Sequence, residues 1–339
     1  MRDMSISPRV EARFYEREGD AYRCGLCPHR CLVEKEKFGR CGSRRGDEDM
    51  LVAYTYGKVS SIAVDPIEKK PLYHFYPGGR VFSVGGVGCN MSCKHCQNYA
   101  ISQSASGKKR ATYESPEELV ERFRRERVDM FAFTYNEPSI WFEYMMDVME
   151  CAPDATYILV TNGFINEGPL SELCQYVTAM NIDIKGFTDR FYKEVCGGRL
   201  EDVLNTARIA FSLGVHIELT YLMIPGHNDS EEEIKEFIKW ILENLSDDVP
   251  VHFTRFHPDN VMNDVPWTSP DALLRTMDMA YDMGLMNVYV GNIISEEGSD
   301  TYCPECGAVV IRRTGYLVNA GGLEGLRCKG CGHRLYLVR

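Results

Sequence analysis

Seven short β-rich runs divide the middle of the chain: VFSV from Val81, MFAFT from Met130, YILVT from Tyr157, NIDI from Asn181, HIELTYLM from His216, VHFTRF from Val251 and NVYVG from Asn287. Longer stretches of helical pattern separate them, which is the period of βα units. The runs are too apolar to alternate cleanly, as expected for strands covered on both faces. The reading is an α/β chain with one parallel sheet or partial (β/α) TIM-like barrel. Three helix starts are visible in their capping chemistry. Ser115-Pro116-Glu117-Glu118 supplies a capping serine, a first-turn proline and a glutamate that can return a hydrogen bond. Ser230 precedes three glutamates, favoured at the positive end of the helix dipole, and Ser269-Pro270 opens the third helix. Methionine and aromatic residues on these helices read as core.

With 339 residues, 44% apolar and 26% charged, the chain can bury a substantial core without staples. No apolar stretch approaches the roughly 20 residues a membrane span needs. The start, MRDMSISPRVEARFYEREGD, is charged throughout and lacks the apolar centre of a secretory signal, so a cytoplasmic location is expected. A net charge of −11 argues against extended binding to nucleic-acid phosphates, although the basic GKKR at 107–110 could meet an acidic partner. Fourteen cysteines in such a chain are better explained by metal than by disulfides. They fall into three sets: Cys24, Cys27, Cys31 and Cys41; Cys89, Cys93 and Cys96; and Cys303, Cys306, Cys328 and Cys331. Cys151, Cys174 and Cys196 stand outside and read as small buried apolar residues. Breaks near YHFYPGGR and EEGSD divide the chain into an N-terminal cysteine-rich segment (1–79), a βα barrel (80–295) and a C-terminal module (296–339).

The middle set lies in GGVGCNMSCKHCQN, Gly85 to Asn98, directly after the first strand. Three thiolates are one short of the four that a structural zinc or most iron–sulfur clusters take. A [4Fe–4S] cluster on three cysteines leaves one iron free to bind a small molecule. A zinc completed by a distant histidine or cysteine is the alternative; the position after strand one of a βα series, where such folds gather their chemistry, favours the cluster. The C-terminal set has two C-x2-C knuckles, each followed by glycine, the pattern of a zinc ribbon; an auxiliary iron–sulfur cluster is the other reading. The N-terminal set, C-x2-C-x3-C and a remote cysteine, leaves zinc and iron–sulfur equally open. Other residues stand at strand ends: TYNEP (Thr134 to Pro138), Thr161-Asn162-Gly163, DIKG from Asp183, and His257 in RFHP. Alone, these would be a solvated turn, a local ion pair and a structural histidine. Asp183 and Lys185, two apart on a strand, project to the same side.

Together these motifs resemble the radical S-adenosylmethionine (SAM) superfamily. The resemblance implies that Cys89, Cys93 and Cys96 ligate the cluster and are its catalytic residues, with SAM chelating the open iron. His95 stands before the third cysteine, where that superfamily usually has an aromatic ring, and Gln97 follows that cysteine; both are cofactor-binding candidates. Tyr135-Asn136-Glu137 stands in for a Gly-Gly-Glu element that receives the SAM amino group, without its glycines; Glu137 matches the acid, and Asn136 is a further cofactor-binding candidate. Asp183, Lys185 and His257 match cofactor-contacting positions of the pyruvate formate-lyase activating group. The run from Val59 to Gln103, VSSIAVDPIEKKPLYHFYPGGRVFSVGGVGCNMSCKHCQNYAISQ, is similar to the AmmeMemoRadiSam system radical SAM enzymes, and the likeness extends from CGLCPHRC through YVGNI. It implies reductive cleavage of SAM to a 5′-deoxyadenosyl radical, an electron donor such as ferredoxin or flavodoxin, Memo-type and AMMECR-type partners, and a protein or peptide substrate. Activation of a glycyl-radical enzyme and a zinc-ribbon adaptor without catalysis are the alternatives.

Overall fold

The computed structural model describes residues 8–103, 111–293 and 298–339. The basic stretch at 107–110 and the boundary expected at 295/296 lie outside the described residues. One eight-stranded sheet organises the rest, its strands β1 (Ser61–Pro66), β2 (Arg80–Gly85), β3 (Met130–Phe133), β4 (Thr156–Thr161), β5 (Val177–Asp183), β6 (His216–Met223), β7 (Val251–Arg255) and β8 (Val288–Gly291). They lie side by side in chain order. From β2 to β8 every neighbouring pair is parallel. These seven strands are the seven β-rich runs, and the open row is the partial barrel expected.

Among the described residues, six helices of seven or more residues follow the strands: α1 (Pro116–Arg125), α2 (Phe142–Cys151), α3 (Glu167–Leu173), α4 (Leu200–Ser212), α5 (Glu231–Asn244) and α6 (Pro270–Asp282). Ser115 and Glu118 form the reciprocal capping box, and Ser230 accepts from the Glu233 N–H. Ser269 sits at the N-cap of α6 without a side-chain capping bond, leaving Pro270 to shape that start. Many apolar side chains of the strands and the inner helix faces, among them Phe131, Leu159, Ile182, Leu219, Phe237 and Phe253, share one buried core, while Val81, Met130, Ala132, Ile158 and Ala179 join a smaller cluster.

β1 is an addition to the expected architecture. It pairs antiparallel with β2 along its whole length, Ser61 opposite Gly85 and Pro66 opposite Arg80. The boundary at 79/80 therefore runs through the sheet, and the N-terminal segment is built into the barrel. The rest of that segment includes a small antiparallel sheet, Tyr15–Glu18, Ala21–Cys24 and Leu32–Glu34. It is held to α2 by the buried pair of Arg44 Nη1 and Glu143 Oε1 at 2.7 Å.

The N-terminal ends of the strands are plugged by polar groups. His216 and Glu218 are two apart on β6 and so point the same way. The fully buried Glu218 carboxylate accepts from the Tyr73 and His74 N–H groups at 2.9 and 2.7 Å and meets Nε2 of His216 and His252 at 3.1 and 2.7 Å. Burial alone would push this carboxyl up; the two imidazoles hold it well below the usual range. The C-terminal module closes the same end. Val338 exchanges backbone bonds with His74 and Tyr76, and the Arg313 guanidinium, almost fully buried, donates to the carbonyls of Tyr73 and Ser299. His74 donates from Nδ1 to the Tyr336 carbonyl and accepts at Nε2 from the Tyr289 hydroxyl.

Burial pushes His74 down to about 4 from its ordinary 6.5. As pH falls below 6.5 the unfolded chain takes up a proton that the folded chain refuses until about pH 4. Stability is lost across that window, on the order of 3 kcal/mol. The thermal midpoint should therefore drop between pH 6.5 and 4, and His74→Gln, which keeps a donor and an acceptor, should flatten that slope in calorimetry.

Candidate active site

At the opposite end, the C-terminal edges of the parallel strands surround a cavity of about 500 Å³. Cys89, Cys93 and Cys96 line it, together with His95, Gln97, Asn136, Glu137, Asp183 and Lys185. Nine of the ten residues expected at the cluster and cofactor thus line one cavity. The tenth, His257, does not line the cavity. After β7 the chain is tied by the Phe256 N–H and Arg255 Nε to Thr268, and the His257 ring leans on Trp267 instead, 5.4 Å between centroids.

The cysteine loop leaves β2 through three glycines. At Gly88, φ is +93° and an added Cβ would lie 2.5 Å from the Cys41 carbonyl oxygen, so glycine alone suits the turn and the approach. Asn136 brackets this turn: its Oδ1 accepts from the Gly86 N–H and its Nδ2 donates to the Gly88 carbonyl, each at 2.9 Å. Farther along, the Ser92 and Lys94 N–H groups donate to the carbonyls of Cys196 and Val195, in the single π-helical turn Tyr192–Cys196.

Glu137 follows β3 and is buried. Its Oε1 accepts from the Ser139 N–H at 3.0 Å and the Thr161 hydroxyl at 2.7 Å, and its Oε2 from the Asn162 N–H at 2.7 Å. Burial pushes its carboxyl up, and these donors oppose that rise. The Asn162 amide then donates to Asn90 Oδ1 at 2.9 Å and points at Cys89 Sγ at 3.6 Å. One carboxylate thereby joins the ends of β3 and β4 to the cysteine loop. Tyr135, two residues before Glu137, has φ +72°, the left-handed conformation glycine adopts freely and other residues adopt at a cost of about 1–2 kcal/mol. The ring is held by its hydroxyl's bond to Asp65 Oδ2 at 2.7 Å and by the Lys70 ammonium over its face at 4.6 Å.

Asp183 and Lys185 form the ion pair that the isolated D-x-K suggests, 3.0 Å from Nζ to Oδ2, and both face the cavity. Burial opposes the lysine's charge, but Asp183 and the neighbouring thiols raise its pKa. Thr220, Leu222, Thr254 and Asn292 complete the far wall. The sequence reading missed these; the signal for the first three was the alternation of β6 and β7, which sends them inward. Cys196 is fully buried but does more than fill space: its sulfur lies within 4.8 Å of Cys93 Sγ and of a His95 ring nitrogen.

The wall fits a [4Fe–4S] cluster with a cofactor beside it. Three thiols share the cavity edge, His95 Nδ1 is buried with no partner, and the cavity of about 500 Å³ is large enough for a small molecule. A model of the Radical SAM superfamily matches residues 83–241. The chain belongs to the radical SAM superfamily. It is an enzyme of that superfamily, so the adaptor reading falls away. The chain is 42% identical over 335 residues to the uncharacterized protein MJ0808 of Methanocaldococcus jannaschii, covering 97% of this chain and 99% of the relative. It is 21% identical over 177 residues to the pyruvate formate-lyase-activating enzyme of Clostridium pasteurianum, covering 50% and 72%. A radical SAM methyltransferase from Sphaerobacter thermophilus shares the fold over 64% of this chain and 67% of its own, with a TM-score of 0.51 at 15% identity.

The C-terminal cysteines form a second site, which suggests a further metal. All four sulfurs lie within 4.8 Å of one another, with Cys303–Cys331 at 3.5 Å and Cys306–Cys328 at 3.7 Å. The site belongs to the module that closes the other end of the barrel.

Glu137→Ala should leave three buried donors without an acceptor and cost at least about 3 kcal/mol in denaturant unfolding. Glu137→Gln keeps an amide oxygen for two of them and should lose much less. Equal losses would contradict the bonding described here.

Proposed function

We propose that this radical SAM enzyme cleaves SAM reductively and takes a hydrogen atom from a partner protein, as a member of the AmmeMemoRadiSam group. The observation that carries the reading is the single cavity shared by the three thiols, Glu137 and the Asp183–Lys185 pair. When bound to Cys89, Cys93 and Cys96, a [4Fe–4S] cluster supplies the electron that breaks a carbon–sulfur bond of SAM. Glu137 has one of about four acceptor positions left after its three protein donors and offers it to the SAM ammonium. Lys185 presents a charged donor to the SAM carboxylate, and Asp183 an acceptor to a hydroxyl. His95 and Gln97 close the wall around the third cysteine. The strand ends exclude water, which keeps competing hydrogen donors away from the reactive carbon. The electron comes from a low-potential protein such as ferredoxin or flavodoxin.

A protein substrate is supported by the resemblance of Val59 to Gln103 to the AmmeMemoRadiSam enzymes, which puts Memo-type and AMMECR-type proteins first among candidates. The likeness of half the chain to a pyruvate formate-lyase-activating enzyme supports a second reading, abstraction from a backbone glycine. At the C-terminal site we assign zinc, whose sulfur bonds of about 2.3 Å set tetrahedral edges close to the spacings observed.

Reconstituted protein with dithionite and SAM should yield 5′-deoxyadenosine, and the Cys89→Ala, Cys93→Ala, Cys96→Ala triple variant should yield none; equal product from the variant would remove the cluster assignment. With a deuterated candidate partner, mass spectrometry should find deuterium in 5′-deoxyadenosine. Label confined to glycine α-positions would select the second reading, and transfer only from a small metabolite would sink the protein-substrate proposal.

A further inference from the structure

We infer that Cys24, Cys27, Cys31 and Cys41 hold a second [4Fe–4S] cluster, set against the back of the loop that carries Cys89. The four cysteines come from separate local structures: Cys24 ends a strand, Cys27 and Cys31 belong to the turn that follows, and Cys41 lies in the tight turn closed by the Gly42 N–H on the Gly39 carbonyl. The fold nevertheless brings all four to the wall of one hollow. A backbone N–H two residues on is aimed at one of the sulfurs, from Ser43 to Cys41 at 3.4 Å. The same arrangement recurs at the other two sets, from Met91 to Cys89 and Gly330 to Cys328. Such donors stabilise a sulfur carrying negative charge.

A second observation points to an anion in this hollow. Arg44 lines it, with its side chain 1% exposed. Glu143 takes one end of the guanidinium, while Nε and Nη2 are buried with no partner. Unpaired charged donors away from water are costly. Four thiolates around a metal centre carry the negative charge those donors lack.

Sulfur spacing chooses the metal. Around a single zinc ion four sulfurs draw together, to spacings such as the C-terminal set of this chain has. Among the described residues, no three of the N-terminal sulfurs come within 4.8 Å of one another, and neither do Cys89, Cys93 and Cys96 as a trio. A cubane places irons and sulfides between its ligands and holds them farther apart. The free space between the N-terminal thiols is small, about 10 Å³, and by that measure alone would suit a lone ion. Spacing decides, because a lone ion needs sulfurs that close on it, and only the C-terminal set has closed.

The two clusters are neighbours. The Cys41 carbonyl rests on Gly88, and His29 Nε2 donates to the Asn90 carbonyl at 2.7 Å, so the backbone on both sides of Cys89 touches the N-terminal set.

The experiment is metal and sulfide analysis with Mössbauer spectroscopy on anaerobically reconstituted full-length chain. The intact protein should carry about eight irons, and the Cys89→Ala, Cys93→Ala, Cys96→Ala variant should keep about four of them in a cubane. Cys24→Ser with Cys31→Ser should lose the complementary half while SAM still perturbs the remaining cluster's electron paramagnetic resonance signal. A triple variant holding two zincs and no iron would overturn the inference, and so would one with no iron and only the C-terminal metal. Because the triple variant leaves the N-terminal set untouched, its iron content answers the question even where the serine variant fails to fold, and independently of whether the intact protein cleaves SAM.

Discussion

The Glu137 carboxylate is the interaction on which the cavity's geometry depends. It is buried where a charge is expensive, and it stays because three donors from two segments converge on it. Its bond to the Asn162 N–H fixes an amide whose side chain reaches Asn90 and Cys89. Asn90 in turn donates to the Phe164 carbonyl. The cysteine loop is thus positioned by a polar chain rooted in the rigid ends of β3 and β4. A loop that had to find its own conformation could not present three thiols at a constant spacing.

Much of this was legible in the chain because strands buried on both faces must be apolar runs, and helices between them must show their caps. β1 escaped because a half-exposed edge strand, SIAVDP, lacks that apolar signature, and because the proline-rich stretch after it looked like a boundary. The motif cysteines were legible by spacing, and Glu137, Asp183 and Lys185 by their places at strand ends. His257 was not, since whether a residue two positions past a strand turns inward depends on what holds the following loop, here Thr268 and Trp267. Cys196 and the Glu218 cluster escaped for the same kind of reason: their partners come from segments distant in sequence. Tyr135 is the most instructive case. The motif's glycines are absent, yet Tyr135 has the left-handed backbone that glycine adopts freely, its ring held by the bond its hydroxyl donates to Asp65 and by the Lys70 ammonium over its face.

The barrel's two ends divide the labour. At the N-terminal end of the strands, the Glu218 carboxylate meets two backbone N–H groups and two imidazoles, and the C-terminal module adds Arg313 and the Tyr336–Val338 tail. At the other end, polar groups are left with capacity to spare: His95 Nδ1 has no partner, and Lys185 spends one bond on Asp183. Unfilled bonding capacity in a walled cavity is what a ligand can use, and a fold tolerates it only where the remaining structure is stable enough to carry the cost.

The N-terminal segment follows the same logic and shows why it cannot be a detachable appendage. It lends β1 to the sheet, buries Arg44 against Glu143 of α2, and lays Cys41 on Gly88 at the root of the cysteine loop. Any larger residue at 88 would have to displace the Cys41 carbonyl, so the two cysteine sets cannot move independently. A change in what the N-terminal thiols bind must therefore be felt at Cys89, through packed backbone rather than through a flexible link, and the first strand, the cysteine loop and the N-terminal turns form one mechanical unit.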